Sequence, residues 1–166
     1  MAIVYLAMGS NLDNPRWQLI QARTSLQDLP KTRLLACSDL YQSRAMTLPG
    51  DNQPQADYIN AVVKLDSQLS PHRLLDACQQ IENKQGRLRH KRWAARTLDL
   101  DILLYDDLQL ADERLNIPHP GIAERNFVLY PLHQLAQDLL IPGQGECGRL
   151  RQQVSTENIQ HLGAFT

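Results

Sequence analysis

Tyr58-Ile59-Asn60-Ala61-Val62-Val63-Lys64-Leu65 is the stretch from which the fold can be read. It places Ile59, Ala61, Val63 and Leu65 on one face and Tyr58, Asn60, Val62 and Lys64 on the other, the two-residue period of a half-buried strand. Just downstream, Ser70-Pro71 combines an N-cap residue with proline at the first helical position. Leu74, Leu75, Cys78 and Ile81 then form an apolar stripe that stops at Gln85-Gly86, where glycine can take the left-handed conformation that ends a helix. The spacing predicts a helix over about 71–85. A further strand is expected over Thr97 to Tyr105, with Leu98, Leu100 and Ile102 facing inward.

Upstream, the apolar run Ile3 to Met8 is closed by Gly9-Ser10-Asn11, and Asn14-Pro15 opens a helix carrying Leu19, Ala22 and Leu26 as far as Leu29-Pro30. Arg33 to Tyr41 reads as the second strand. Gln42 to Asp57 contains Pro49, Gly50 and Pro54 with almost no apolar content, so it reads as a long exposed loop. The order strand, helix, strand, strand, helix, strand is that of ferredoxin-like α+β domains, an antiparallel sheet with two helices on one face and the other face open. Beyond Tyr105 we expect a short hairpin around Asp106-Asp107, a loop at Pro118-His119-Pro120 and a helix near Pro131 to Ala136. A polar tail should run from about Gly143. The 166 residues suit one domain.

Seventeen basic and eighteen acidic residues leave a net charge of −1, which argues against a protein that coats nucleic acid or a membrane surface. Cys37, Cys78 and Cys147 lack C-x-x-C spacing and read as reduced, consistent with a cytoplasmic address. The start of the chain has no basic segment or cleavage pattern, and no apolar run approaches the roughly 18 residues of a membrane span.

The chemistry concentrates in Arg87 to Asp101. Arg87, Arg89, Lys91, Arg92 and Arg96 occur there without an intervening acid, and the run ends in Asp99-Leu100-Asp101. Residues i and i+2 of a strand share a face, so both carboxylates project together, opposite Leu98, Leu100 and Ile102. Paired carboxylates suit magnesium with substrate phosphates, and neighbouring arginines suit a polyphosphate. Alternation alone would also leave two aspartates on the wet side of a strand. No P-loop, zinc-ligand spacing or G-x-S-x-G elbow occurs. Tyr58 and Asn60, with Trp93 and Phe127, suit a flat heterocycle, the rings for its faces and the amide for its edge. His119, held between prolines and flanked by Arg114 and Arg125, could reach a nucleotide or could be structural.

Arg92-Trp93-Ala94-Ala95-Arg96-Thr97-Leu98-Asp99-Leu100-Asp101-Ile102-Leu103 resembles the signature of the 6-hydroxymethyl-7,8-dihydropterin pyrophosphokinase family. The likeness extends to Gly9-Ser10-Asn11-Leu12, Asp57-Tyr58-Ile59-Asn60-Ala61, Ile81-Glu82 with Gly86-Arg87, and Ile117-Pro118-His119-Pro120 with Arg125-Asn126-Phe127. It implies a ferredoxin-like enzyme of folate biosynthesis that moves the pyrophosphoryl group of ATP onto the pterin hydroxymethyl oxygen and releases AMP. It also implies two magnesium ions on Asp99 and Asp101, with Arg87 and Arg96 as catalytic arginines. By the same resemblance, Glu82, Arg89, Ile102, Arg114, Asn116, His119 and Arg125 would line the ATP site. Ser43, Met46, Tyr58, Asn60, Trp93 and Phe127 would enclose the pterin.

The chain departs from the family pattern over Ser43-Arg44-Ala45-Met46-Thr47-Leu48, where Arg44 brings a charge to the pterin loop. The expected partners are small molecules, with no nucleic acid and no membrane, and the expected state is a monomer. The rival readings are a paralogue acting on another heterocycle and, from a different class, a ferredoxin-like RNA-binding module. The latter lacks the expected aromatic strand motif.

Overall fold

The computed structural model describes residues 1–44, 56–86 and 98–165. Met46, Arg87, Arg89, Trp93 and Arg96 lie outside the described residues, as does most of the expected 42–57 loop. The elements in chain order are β1 (Ala2–Ser10), α1 (Pro15–Gln27), β2 (Thr32–Cys37), β3 (Leu40–Ser43), β4 (Tyr58–Ser67), α2 (Pro71–Lys84) and β5 (Asp99–Tyr105). After them come β6 (Leu110–Ala111), β7 (Asn116–Ile117), α3 (Asn126–Leu135), β8 (Leu140–Ile141), β9 (Gly145–Glu146), α4 (Cys147–Gln153) and β10 (Ile159–Gly163).

The main sheet is antiparallel in the order β10-β3-β4-β1-β5, with β2 also paired to β4. Counting β2 and β3 as one broken strand, this is the ferredoxin-like arrangement. The strand expected over 33–41 breaks at Ser38. There the Ser38 hydroxyl, in place of a main-chain carbonyl, accepts the Val62 N–H at 2.9 Å. Gly9, read as closing the first strand, lies within it, because β1 continues to Ser10.

Both expected helices form where proline sits at their starts. Asn14 caps α1 with left-handed backbone, φ +62°, and without a side-chain bond, whereas the Ser70 hydroxyl accepts the Arg73 N–H of α2. Gly86, at φ +88°, takes the left-handed turn expected after α2. Leu19, Leu26, Leu74 and Cys78 from these helices pack on Leu6, Val63, Leu100 and Ile102 of the sheet to make the main core.

The other sheet face is not open along its whole length. Val62, expected on a wet face, is fully buried, and with Tyr5, Leu103 and Leu104 it packs under Val128, Leu129 and Leu132 of α3. The parity that delivers both leucines to this side changes at a bulge, since Leu6 pairs with Ile102 but Tyr5 pairs with Leu104. The broad platform that the RNA-binding reading requires is thus roofed by α3.

The C-terminal third departs most from the reading above. The hairpin is not at Asp106-Asp107, which only turns the chain out of β5, but at β6–β7, where the Asp112 carboxylate accepts the Arg114 and Leu115 N–H groups at 2.9 Å each. Helix α3 starts at Asn126, five residues before Pro131, and carries that proline inside it. From Gly143 the chain is not a tail. Cys147 and Leu150 of α4 enter the second core, and β10 extends the sheet. Phe165 packs into the main core with the Arg23 guanidinium 4.5 Å from its ring centre.

Candidate active site

The register of three neighbouring strands builds the site. Gly9 of β1 is paired with Asn60 on one side and Asp99 on the other, and Ala7 with Val62 and Asp101. Directly paired residues share a face, so the wet side of β1 shrinks from Tyr5 through Ala7 to Gly9. The resulting trough lies where the α3 roof stops. It is a cavity of about 290 Å³ with Ala7 and Gly9 in its floor, Asp99 and Asp101 on one rim, and Tyr58, Asn60 and Ser43 on the other. His119, Arg125 and Phe127 close it from the C-terminal side.

Asp99 and Asp101 stand together on one face of β5, both half-buried. Among the described residues no third carboxylate, histidine or cysteine joins them in a metal-binding cluster. Two hard oxygen donors lining the cavity fit a cation whose remaining ligands come from phosphate and water.

His119 faces this pair with Nε2 4.0 Å from Asp101 Oδ2. Its Nδ1 accepts the Gly121 N–H at 3.0 Å, which puts the ring proton on Nε2 and makes that nitrogen a donor toward the cavity. Burial above all, then the nearby Arg125 charge, pushes the imidazole down to about 4, against a smaller raising effect of Asp99. His119 is therefore neutral near pH 7. Because the unfolded chain takes up this proton near pH 6.5 and the folded chain only near 4, stability falls as pH drops through that window, by up to about 3 kcal/mol from this group. Urea denaturation between pH 7 and 4 should show that loss, and His119→Gln should flatten the slope.

The acceptor rim differs from the expectation in one respect. Both Asn60 amide hydrogens are already used, on the Tyr41 carbonyl at 3.2 Å and the Ser43 hydroxyl at 2.8 Å, which also fixes the amide orientation. Asn60 thus offers a ligand Oδ1 rather than a full donor and acceptor edge, and Ser43 acts as its support. Phe127 sits across the cavity with the Arg125 guanidinium 5.9 Å from its ring centre. A side-chain carbon on Gly121 would come within 2.7 Å of Arg125 Nε, so the missing side chain gives Arg125 its path.

Of the other expected nucleotide residues, Glu82, Ile102, Arg114 and Asn116 are described and do not line this cavity. Glu82 is buried on α2, and its carboxylate accepts the Leu100 N–H at 2.8 Å along the outer edge of β5. The Ile102 side chain lies in the main core. Its main chain, two residues from Leu100, points to the same outer edge. Arg114 is held by Asp76 of α2 at 2.5 Å on the surface, and Asn116 is exposed on β7. Ala7 and Gly9 were not recognised as site residues from the sequence. The signal for them was the alternation of β1 carried one residue past Met8.

A carboxylate pair at the rim of a cleft on an α+β sheet, with a donor imidazole and an arginine facing it, suits the class of phosphoryl-transfer enzymes. Similarity to known proteins places it more narrowly. Residues 5–137 match the 7,8-dihydro-6-hydroxymethylpterin-pyrophosphokinase (HPPK) family, to which the chain belongs. It is 47% identical over 142 residues to the 2-amino-4-hydroxy-6-hydroxymethyldihydropteridine pyrophosphokinase of Haemophilus influenzae, covering 86% of each chain. Its identity to the Pseudomonas aeruginosa protein of that name is 46% over 159 residues, 96% of each chain.

Among solved structures, an HPPK-DHPS in complex with substrates superposes with a TM-score of 0.74 at 10% identity, covering 97% of this chain and 46% of that one. The Plasmodium falciparum HPPK-DHPS with pteroate gives 0.74 at 12%, covering 96% and 47%. The chain spans about half the length of these solved chains, and at such identity they speak for the fold. The chain is an ATP-dependent diphosphotransferase of folate biosynthesis, transferring the pyrophosphoryl group of ATP to the hydroxymethyl oxygen of 6-hydroxymethyl-7,8-dihydropterin.

Proposed function

We propose that the trough over Ala7 and Gly9 receives the pterin and that Asp99 and Asp101 hold the reacting end of ATP beside it. The observation that carries this reading is the register that sets Gly9 between Asn60 and Asp99. One ring system can then lie on the strand floor with its edge at Asn60 and its hydroxymethyl group at the carboxylates. Tyr58 and Phe127 flank it, with Trp93 and Met46 completing the enclosure by resemblance. The nucleotide extends toward the outer edge of β5, near Glu82, Ile102, Arg114 and Asn116, with Arg89 in the same role by resemblance.

The hydroxymethyl oxygen attacks the β-phosphorus. The bond from that phosphorus to the oxygen bridging it to the α-phosphorus breaks, AMP leaves with the bridging oxygen, and the hydroxyl proton passes to water. Asp99 and Asp101 would hold two magnesium ions, which when bound neutralise phosphate charge and align the two oxygens about the β-phosphorus. Asp99, paired with Gly9, also orients the hydroxyl. The His119 Nε2–H and the Arg125 guanidinium bind phosphate oxygens, and neutral His119 does so without adding a charge that the metal must oppose. Arg87 and Arg96 stabilise the transferring group.

All of these groups come from one chain, in keeping with a monomer. Buried Cys78 and Cys147 and half-buried Cys37, all free, are in keeping with a reducing cytoplasm.

Incubation with ATP, magnesium and 6-hydroxymethyl-7,8-dihydropterin should yield AMP and the pterin diphosphate, with AMP absent when pterin is omitted. EDTA should stop the reaction and excess magnesium restore it. Pterin-dependent ADP in place of AMP, or turnover indifferent to EDTA, would overturn this reading. Poor turnover of this pterin beside efficient turnover of another heterocycle would favour the paralogue, for which Arg44 at the cavity is the structural argument.

A further inference from the structure

We propose that Asn126 is a positioning residue for the pterin, a clasp that sets the spacing between the two walls of its cavity. One wall is Phe127 with Arg125 at the start of α3. The other is Ser43 and Arg44 at the end of β3. These walls are remote in sequence and belong to different layers, so something must fix their separation.

The connection runs through the turn between α4 and β10. The Asn126 Nδ2 donates to the main-chain carbonyls of Ser155 and Glu157, both at 2.9 Å. The Ser155 hydroxyl accepts the Glu157 N–H at 3.0 Å, and Asn158 adopts left-handed backbone at φ +61°, a conformation asparagine tolerates better than most residues. The Asn158 carbonyl accepts the Arg44 N–H at 3.3 Å, and the next residue, Ile159, pairs with Ser43. Ser43 in turn supports Asn60. A short path of hydrogen bonds and chain neighbours therefore joins the start of α3 to Asn60.

Asn126 is the first residue of α3, and its Nδ2 reaches sideways from the helix start to the turn, where two main-chain carbonyls accept from it. Asn126 lines an open groove of about 330 Å³ together with Ser43, Arg44, Arg125, Phe127, Ser155 and Asn158. Its two hydrogen bonds bridge from the α3 side of this groove to the turn on the other side.

The inference rests on the assignment of the trough to the pterin, and the test separates the two. With the full chain, ATP, magnesium and 6-hydroxymethyl-7,8-dihydropterin, Asn126→Asp replaces both donated bonds by a carboxylate facing two carbonyls. It should raise the KM for pterin about tenfold while kcat and the KM for ATP stay within about twofold. Asn126→Ala, which removes the donors without adding charge, should raise the pterin KM about fivefold and decides the matter if Asn126→Asp does not fold. Unchanged pterin KM in a folded variant overturns the clasp. So does a parallel loss of thermal stability, kcat and both KM values, the mark of a merely structural residue. A wild-type chain that makes no AMP with pterin overturns the assignment of the trough, and the clasp with it.

Discussion

Asp101→Ala and Asp99→Ala are each expected to lower kcat by about a thousandfold or more, to the limit of AMP detection, while the variants stay folded. The size follows from what the pair is asked to do. In the proposed mechanism the attacked phosphorus sits in a group bearing several negative charges, and the two carboxylates side by side on β5 would gather a cation there. The fold should survive because both side chains are half-buried on the cavity face. The strand is anchored from its other side by Leu98, Leu100 and Ile102 in the main core. A change in Tm beyond about 3 °C is not expected from substitution at such positions.

Two measurements separate a metal role from a general loss of order. Calorimetric titration with ATP should lose its magnesium dependence in both variants, and pterin binding in the absence of nucleotide should change little for Asp101→Ala. In the proposed placement of the pterin over Gly9, Asp99 is the carboxylate beside the acceptor, so Asp99→Ala should weaken pterin as well. A folded Asp101→Ala variant with kcat within about tenfold of wild type would remove the carboxylate pair from the mechanism.

The parts of this molecule that could be read from the sequence are those where one local rule dominates. Proline after serine or asparagine marked both early helix starts, and Gly86 marked the end of α2, because fixed or permissive backbone angles act over one or two residues. Asp99 and Asp101 were legible as a pair because strand parity needs no knowledge of what packs nearby. What failed depends on tertiary neighbours. Val62 reads as a wet position until α3 is known to lie on it, and Leu103 and Leu104 reach one core only through a bulge against β1.

The segment from Gly143 reads as a tail because its apolar residues are sparse. Leu150, Ile159 and Phe165 nevertheless suffice, since α4 and β10 add to a core and a sheet that already exist rather than building their own. Gly9 reads as part of the segment that closes the first strand, whereas in the fold it is a residue without a side chain in the middle of a sheet, between Asn60 and Asp99. That reading requires its partners Asn60 and Asp99 to be known.

With the pterin placed as proposed, Gly9 is where the acceptor site can be closed without touching a catalytic group. Gly9→Val should reduce pterin affinity about a hundredfold, roughly 3 kcal/mol, and leave magnesium-dependent ATP binding within about twofold. A side-chain carbon at this position would lie 3.3 Å from Asn60 Oδ1 and 3.5 Å from Tyr58 Cδ1, already tight before the two methyl groups of valine are added. Those methyl groups have nowhere to go but the trough, because the paired strands β4 and β5 stand on either side.

Valine favours strands and Gly9 lacks a left-handed φ, so β1 itself has no reason to resist the change. Gly9→Ala should be intermediate, with a loss of about tenfold or less, because the one added carbon needs Asn60 to yield by only a few tenths of an ångström. The order Gly, Ala, Val is the decisive readout, taken as Kd for pterin by fluorescence titration alongside Kd for ATP. If Gly9→Val binds pterin as wild type does, the ring does not lie on β1. If both ligands weaken together, the substitution has moved Asp99, and a shared disturbance of β5 replaces steric exclusion as the explanation.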